Sequence, residues 1–196
     1  SNKQFNRQFI HIIIGLITVT AYYFELLSHL AIFLMIIVGI MASFLSKRTW
    51  LPFFTFFLEK CEREKDKKTF PGKGMVFFFV GVLLVTQLFE KDIAMASIMI
   101  LSLGDSVSHI VGGSFGQIKN IFNGKSKKLF EGTLAGTAAG FLGAILFVPV
   151  PEALIASFMA MVAEVVEIDF NQNTLDDNIV VPLVAGTVIF LMRYYL

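Results

Sequence analysis

The sequence predicts an all-α, polytopic membrane protein of about seven transmembrane helices in a single integral-membrane domain, residues 1–196. Three observations predict it. Of the 196 residues, 56% are hydrophobic and 22 are Phe, and charged residues reach only 16%, against about 25% in soluble domains. Apolar residues fall into separated runs close to the length a bilayer crossing needs. Basic residues gather between alternate runs, as the positive-inside rule requires.

The runs are Phe9–Phe24, Leu26–Leu45, Met75–Phe89, Ile93–Val111, Leu134–Val150, Ala153–Val166 and Ile179–Met192. Several fall short of about 20 residues, so flanking residues are expected to extend them. Seven crossings put the N-terminus and residues 46–74, 112–133 and 167–178 on one face. Of the 16 Lys and Arg residues, all but Lys91 and Arg193 lie on that face. The N-terminus and the face it shares are therefore expected to be cytoplasmic. The opening Ser1-Asn2, without Met, is expected to be a tag remnant, and no signal peptide is evident. Cys61, the single cysteine, rules out an internal disulfide and a multi-Cys metal site and reads as an inert thiol.

Ionisable residues at the ends of the runs collect on the same face. Arg7 and His11 open the first run, and Asp105 and His109 lie near the end of the fourth. Lys128 and Glu131 precede the fifth, Glu164 and Glu167 close the sixth, and Asp176, Asp177 and Asn178 open the seventh. A carboxylate such as Asp105 at membrane depth costs about 2.5–3.5 kcal/mol on insertion scales, which marks a functional site. Arg7 either snorkels to the headgroups or serves the site. His11 is equally readable as structural or functional.

On a helix, Asp105, Ser108, His109, Gly112 and Gly116 share one stripe. Gly132, Gly136, Gly140 and Gly143 repeat at helical spacing. Gly136, Gly140 and Gly143 read as small-residue packing between helices. Gly112, Gly113 and Gly116, at the water boundary, are positioned to offer amides to phosphate, although the chain has no Walker A ending. Lys125 reads as part of a solvated basic loop. Lys128 runs straight into Glu131-Gly132-Thr133 and a helix start. There Glu131 suits the helix dipole or holds Lys128 or a metal, and Thr133 serves as a cap. Asp176 reads as a cap or as part of a site. Asp105 and Asp177 together suit Mg²⁺, which prefers one or two carboxylates with phosphate and water. One of the two can bind metal while the other accepts a proton.

These motifs, in this order, resemble the CTP-dependent lipid kinases: dolichol kinase, phytol kinase and the yeast-type diacylglycerol kinase. The resemblance runs from Arg7 to about Val188. It includes Arg7, His11 and Gly15; Glu59 and Arg63; Pro71-Gly72-Lys73-Gly74; GDSVSHIVGGSFG at 104–116; KKLFEGT at 127–133; and the closing EVVEIDFNQNTLDDNIVVPL at 164–183. Ser108 stands where the family usually has Ala and Gln8 where it often has Lys. Gly113 replaces a frequent basic residue, which puts one expected phosphate contact in question.

The resemblance implies Mg²⁺-dependent transfer of the CTP γ-phosphate to a membrane lipid alcohol, a polyprenol, a phytol-like isoprenoid or diacylglycerol, at an active site facing the cytoplasm. It implies catalysis by Asp105, Asp177, Lys128 and His11. Nucleotide contacts fall to Ser108, Gly112, Gly116, Lys127, Lys128, Glu131, Gly132 and Thr133, and metal contacts to Asp105, Asp177 and Glu131. Arg7, Asp176, Asn178 and Glu164 support them. The partners are CTP, the lipid alcohol and the bilayer, with no nucleic acid; oligomerisation is left open. CDP-diacylglycerol synthases share the first two motifs but carry a PGHGG-x-x-DR-x-D signature that has no counterpart here. A cytidylyltransferase is thus the alternative enzyme. A transporter would place polar groups at mid-membrane, whereas here they concentrate at one interface.

Overall fold

The computed structural model describes residues 2–49, 55, 58, 69–121, 128–166, 169–170 and 173–195. Each of the seven apolar runs lies on a helix. These are α1 Asn2–Tyr23, α2 His29–Ser46, α3 Lys73–Leu88, α4 Lys91–Phe115, α5 Phe130–Ala144, α6 Val150–Val166 and α7 Asp177–Tyr195. Among the described residues, α2, α4 and α7 are long and apolar enough to cross a membrane, and α3 is a shorter apolar helix. Among the described residues, the strand structure is a two-residue antiparallel pair, β1 Asp169–Phe170 with β2 Asn173–Thr174, between α6 and α7, together with an isolated bridge between Lys119 and Leu129.

Helix α4 forms the axis of the fold and touches α1, α3, α5, α6 and α7. Its apolar window is 78% buried, against 17% for α2, so α4 is lined by protein and α2 faces outward. Ile93, Ala94, Ala96, Ile98, Ile100 and Leu101 are completely buried. By contrast, Phe33, Val38, Met41 and Phe44 on α2 and Phe9 and Ile17 on α1 are exposed. Such a continuous apolar surface suits lipid rather than water.

Close helix approach depends on small residues. Side chains added at Gly136 would meet the Gly104 carbonyl at 2.7 Å, Met161 Sδ at 2.7 Å and Ser108 Cβ at 2.8 Å. Gly140 opposes Ser157 at 2.5 Å, and Gly143 opposes Leu103 and Met99. The packing expected of these three glycines is what the structure contains. Gly15 does the same for α1, against Ser102.

Two backbone irregularities aim the ends of the helices. Helix α4 widens into a π-helical turn at Ile100–Asp105 before resuming its α-helical course at Ser106. Such a turn changes the phase of the helix, and turns of this kind recur at functional sites. Pro182, inside α7, has no N–H for the carbonyl of Asn178 four residues earlier. That freed carbonyl lies against Gly81 on α3, where any side chain would collide with it.

Polar contacts tie the two ends of the bundle separately. At one end, Arg193 on α7 bonds Asp92 at 2.8 Å, Glu152 at 2.9 Å and Glu90 at 3.4 Å, while Lys91 meets Glu25 at 3.1 Å. Lys128, Asp105, Glu164 and Asp177 meet at the opposite end. We expect Gly136→Val to destabilise the protein by about 1–3 kcal/mol through overpacking, seen as a lower melting temperature in detergent. Gly74→Ala, with no atom within 4 Å of the added methyl, should leave melting unchanged or slightly raised.

Candidate active site

The π-turn delivers Asp105, which is 7% exposed, to the end of the bundle where α4, α6 and α7 meet. One turn later His109 brings Nε2 to 3.4 Å from Asp105 Oδ1 and 3.9 Å from Glu164 Oε1. Glu164 comes from the last turn of α6 and is 1% exposed. Asp177 opens α7. Lys128 enters just before α5, its ammonium 2.8 Å from Glu164 Oε1 and 2.8 Å from Asp177 Oδ2. It also donates to the Glu164 carbonyl at 3.2 Å.

Candidate ligand atoms of Asp105, His109, Glu164 and Asp177 all lie within 4.8 Å of one another. Asp105 Oδ1 and both Glu164 carboxylate oxygens are buried without hydrogen bonds; Lys128 and His109 approach them as ion-pair contacts only. Buried oxygens normally find partners, so these are poised for one more. Three carboxylates offering oxygen donors fit a hard divalent cation, with His109 the less suitable donor for Mg²⁺. Burial disfavours the Lys128 ammonium, but Glu164, Asp177 and Asp105 outweigh it and hold its pKa above the ordinary lysine value. Lys128 therefore stays charged throughout the physiological range.

The chain just after Lys128 is pinned. Lys119 pairs with Leu129 in an isolated antiparallel bridge, and the Phe130 amide donates to the Ile118 carbonyl at 3.1 Å. Glu131 lies outside the carboxylate cluster. Its Oε1 accepts the Gln117 amide at 3.0 Å and the Ile118 amide at 3.1 Å. Of the roles expected for Glu131, holding Lys128 is not the one seen: its carboxylate braces the turn at Gln117 and Ile118, while Lys128 pairs with Glu164 and Asp177. Thr133 is likewise not a cap. Its Oγ1 accepts from Asn120 Nδ2 at 2.8 Å, and Leu129 occupies the cap position.

The glycines near the mouth also differ from expectation. Gly112 and Gly132 meet as a close helix-crossing pair, with the site of a Gly112 side chain 3.5 Å from Gly132 Cα. The Gly112 amide lies within helical hydrogen bonding. The Gly116 amide is committed to the Gly112 carbonyl at 3.2 Å, and Gly116 packs against Leu129. The end of α4 directs carbonyls outward, which disfavours an anion there. Gly112, Gly116 and Gly132 serve close packing here, and the Gly112 and Gly116 amides are taken up by hydrogen bonds within the protein. Ser108, 6% exposed, sits in the same α4–α5 contact.

Asp176 caps α7: its Oδ1 accepts the Asn178 amide at 3.2 Å and Asn178 Nδ2 at 2.8 Å. Its Oδ2 faces Lys73 at 3.5 Å. His11 packs edge-on against Phe78, with ring centroids 5.0 Å apart, and its buried Nε2 has no hydrogen bond. His11 and Arg7 lie close enough to act electrostatically on Asp105. Lys127, Lys125, Glu167, Glu59, Arg63 and Cys61 lie outside the described residues.

Sequence reasoning underrated Glu164 and left His109 and Lys73 without a role. A signal for Glu164 was present. Ala153, Ala156, Ser157, Ala160 and Met161 repeat at helical spacing on the buried face of α6, and Glu164 continues that stripe.

Among known proteins, the chain is 28% identical over 190 residues to an uncharacterized protein of Methanocaldococcus jannaschii, covering 95% of this chain and 93% of that one. It is 27% identical over 152 residues to the CTP-dependent diacylglycerol kinase 1 of Schizosaccharomyces pombe, 66% of this chain and 64% of the kinase. It is 32% identical over 134 residues to a probable chloroplastic phytol kinase of Triticum aestivum, 61% of this chain and 44% of that protein. The chain thus spans between under half and under two thirds of these kinases' lengths. No family model and no solved structure matches it. Its resemblance to the CTP-dependent lipid kinases rests on these relatives as well as on its motifs.

Backbone amides hold the Glu131 carboxyl below the ordinary glutamate value of 4.5. A depressed pKa contributes order that is complete above pH 4.5 and is lost as pH falls through the lowered value. Glu131→Ala should lower the hydrogen-exchange protection factors of the Gln117 and Ile118 amides at neutral pH, and the unaltered protein should lose the same protection only in acid.

Proposed function

We propose that this protein is a CTP-dependent lipid kinase that phosphorylates the hydroxyl of a membrane lipid alcohol, giving CDP and a lipid monophosphate. The convergence of Asp105, Glu164, Asp177 and Lys128 at one end of the bundle carries the reading. The kinase names of two relatives give it its direction. A polyprenol, a phytol-like isoprenoid or diacylglycerol is the acceptor in this reading. The chain acts as one domain with seven spans, its N-terminus and active site on the cytoplasmic side, where CTP is found. The described basic residues Arg7, Lys47, Arg48, Lys73, Lys119 and Lys128 favour that orientation.

Phosphoryl transfer depends on positioning and charge neutralisation more than on covalent chemistry. Asp105, Glu164 and Asp177 would hold Mg²⁺; when bound, it would offset the charge of the triphosphate. Lys128 supplies a permanent positive charge to the phosphate chain, and Arg7 and Lys73 add charge beside it. Helices α1 and α2 present apolar surface along which a lipid tail can lie while its hydroxyl reaches the polar end. The hydroxyl oxygen forms the new P–O bond, the β–γ bridge breaks, and CDP departs. The hydroxyl proton passes to Asp177, whose side chain stays 32% exposed; His11, with its unbonded Nε2, is the second candidate. The glycines contribute by close packing, and Lys127 by charge.

A cytidylyltransferase would instead release pyrophosphate and form a CDP-lipid. Asp105→Asn, nearly isosteric, should lower CTP-dependent lipid phosphorylation by at least about a hundredfold while leaving the yield of folded protein intact. Full activity in that variant would remove Asp105 from the site. CTP with Mg²⁺ should raise the melting temperature of the unaltered protein; no shift at millimolar CTP would count against a nucleotide site.

A further inference from the structure

Lys128 occupies the place that a cation ligated by this cluster would need. Its ammonium is held by three oxygens, Glu164 Oε1, Asp177 Oδ2 and the Glu164 carbonyl, two of them carboxylate oxygens at 2.8 Å. It donates hydrogen bonds to Asp177 Oδ2 and the Glu164 carbonyl and faces Glu164 Oε1 as an ion pair. Even so, oxygens are left over: Asp105 Oδ1 and both Glu164 carboxylate oxygens remain buried without hydrogen bonds, with Lys128 and His109 beside them only as ion-pair contacts. Glu164 is 1% exposed, so water does not make up the deficit easily.

The backbone beneath Lys128 is held by its own contacts, whereas the ammonium end anchors the side chain. The Lys119–Leu129 bridge, the Phe130–Ile118 hydrogen bond and the Glu131 brace hold the main chain. Four side-chain torsions remain to carry the ammonium elsewhere. Leu129 has extended backbone, so Lys128 lies before the first turn of α5 and its side chain can swing without breaking helical hydrogen bonds.

We infer that Lys128 is a placeholder cation: in the nucleotide-free protein it fills the seat between Glu164 and Asp177, and a divalent cation displaces it, freeing it for the phosphate chain. The inference rests on the kinase reading for the phosphate but not for the exchange itself. It makes Glu164 a metal ligand in place of Glu131. It also couples the two events: the lysine is released to bind phosphate only when the cation arrives with the nucleotide. Free metal would bind weakly alone, because it must first expel a buried ammonium.

Two measurements on the full chain in detergent test this. The first is Mn²⁺ binding without nucleotide, read by the electron paramagnetic resonance of free Mn²⁺. Lys128→Met should bind Mn²⁺ at least about tenfold more tightly than the unaltered protein, and Lys128→Met with Glu164→Gln should lose that gain. Equal affinity in folded Lys128→Met overturns the proposal. The second needs no variant. Acetic anhydride labelling of the unaltered protein, read by mass spectrometry, should modify Lys128 slowly without metal and several-fold faster with saturating Mn²⁺. A rate unmoved by Mn²⁺ overturns the exchange, whether or not Lys128→Met folds. Phosphorylation from CTP, measured alongside, separates the readings. Activity with no exchange leaves the kinase and removes the placeholder; exchange without CTP turnover does the reverse.

Discussion

The contact between Lys128 and the pair Glu164–Asp177 is the constraint on which the polar end of the molecule depends. Each of these groups is costly to bury alone, and losing one partner of a buried pair typically costs about 3–5 kcal/mol. Satisfying the ammonium requires the end of α6 and the start of α7 to bring Glu164 and Asp177 each to 2.8 Å from the Lys128 ammonium, which the segment before α5 supplies. That convergence depends in turn on close packing elsewhere. Gly136 and Gly140 let α5 lie against α4 and α6, and Gly81 admits the carbonyl that Pro182 leaves free at the start of α7.

The two ends of the bundle have different jobs. Arg193 draws Glu90 and Asp92 at the start of α4 together with Glu152 at the start of α6, and leaves its guanidinium well satisfied. The Lys128 end is satisfied only in part, with buried oxygens of Asp105 and Glu164 still lacking hydrogen bonds. A network closed on itself holds helices together. One left open at buried carboxylates has capacity for a ligand, and this asymmetry is the physical basis for placing the chemistry at the Lys128 end.

Much of this was legible in the sequence. Apolar run length gives seven helical segments. The cost of a carboxylate in an apolar run singles out Asp105, and the clustering of ionisable residues at run ends brings in Lys128 and Asp177. Gly136, Gly140 and Gly143 pack helices as their spacing indicates. What escaped was direction. The π-turn at Ile100–Asp105 rotates the stripe Asp105–Gly116 relative to the earlier turns of α4, and hydrogen bonding within α4 and at its end claims the amides of Gly112 and Gly116. Glu131 sits three residues from Lys128, yet its carboxylate turns back to accept the Gln117 and Ile118 amides, a partner choice that spacing alone does not indicate. Glu164 sits on the buried stripe of α6, but its partner Lys128 is 36 residues away, and no local spacing links them.

The central claim is that this end of the bundle transfers the γ-phosphate of CTP to a lipid hydroxyl. Its most direct test is product identification by mass spectrometry after incubating the purified protein with γ-labelled CTP, Mg²⁺ and a panel of polyprenol, phytol, geranylgeraniol and diacylglycerol acceptors. The account predicts CDP and a labelled lipid monophosphate from at least one acceptor. Pyrophosphate with a CDP-lipid, or no lipid product from any acceptor, would contradict it.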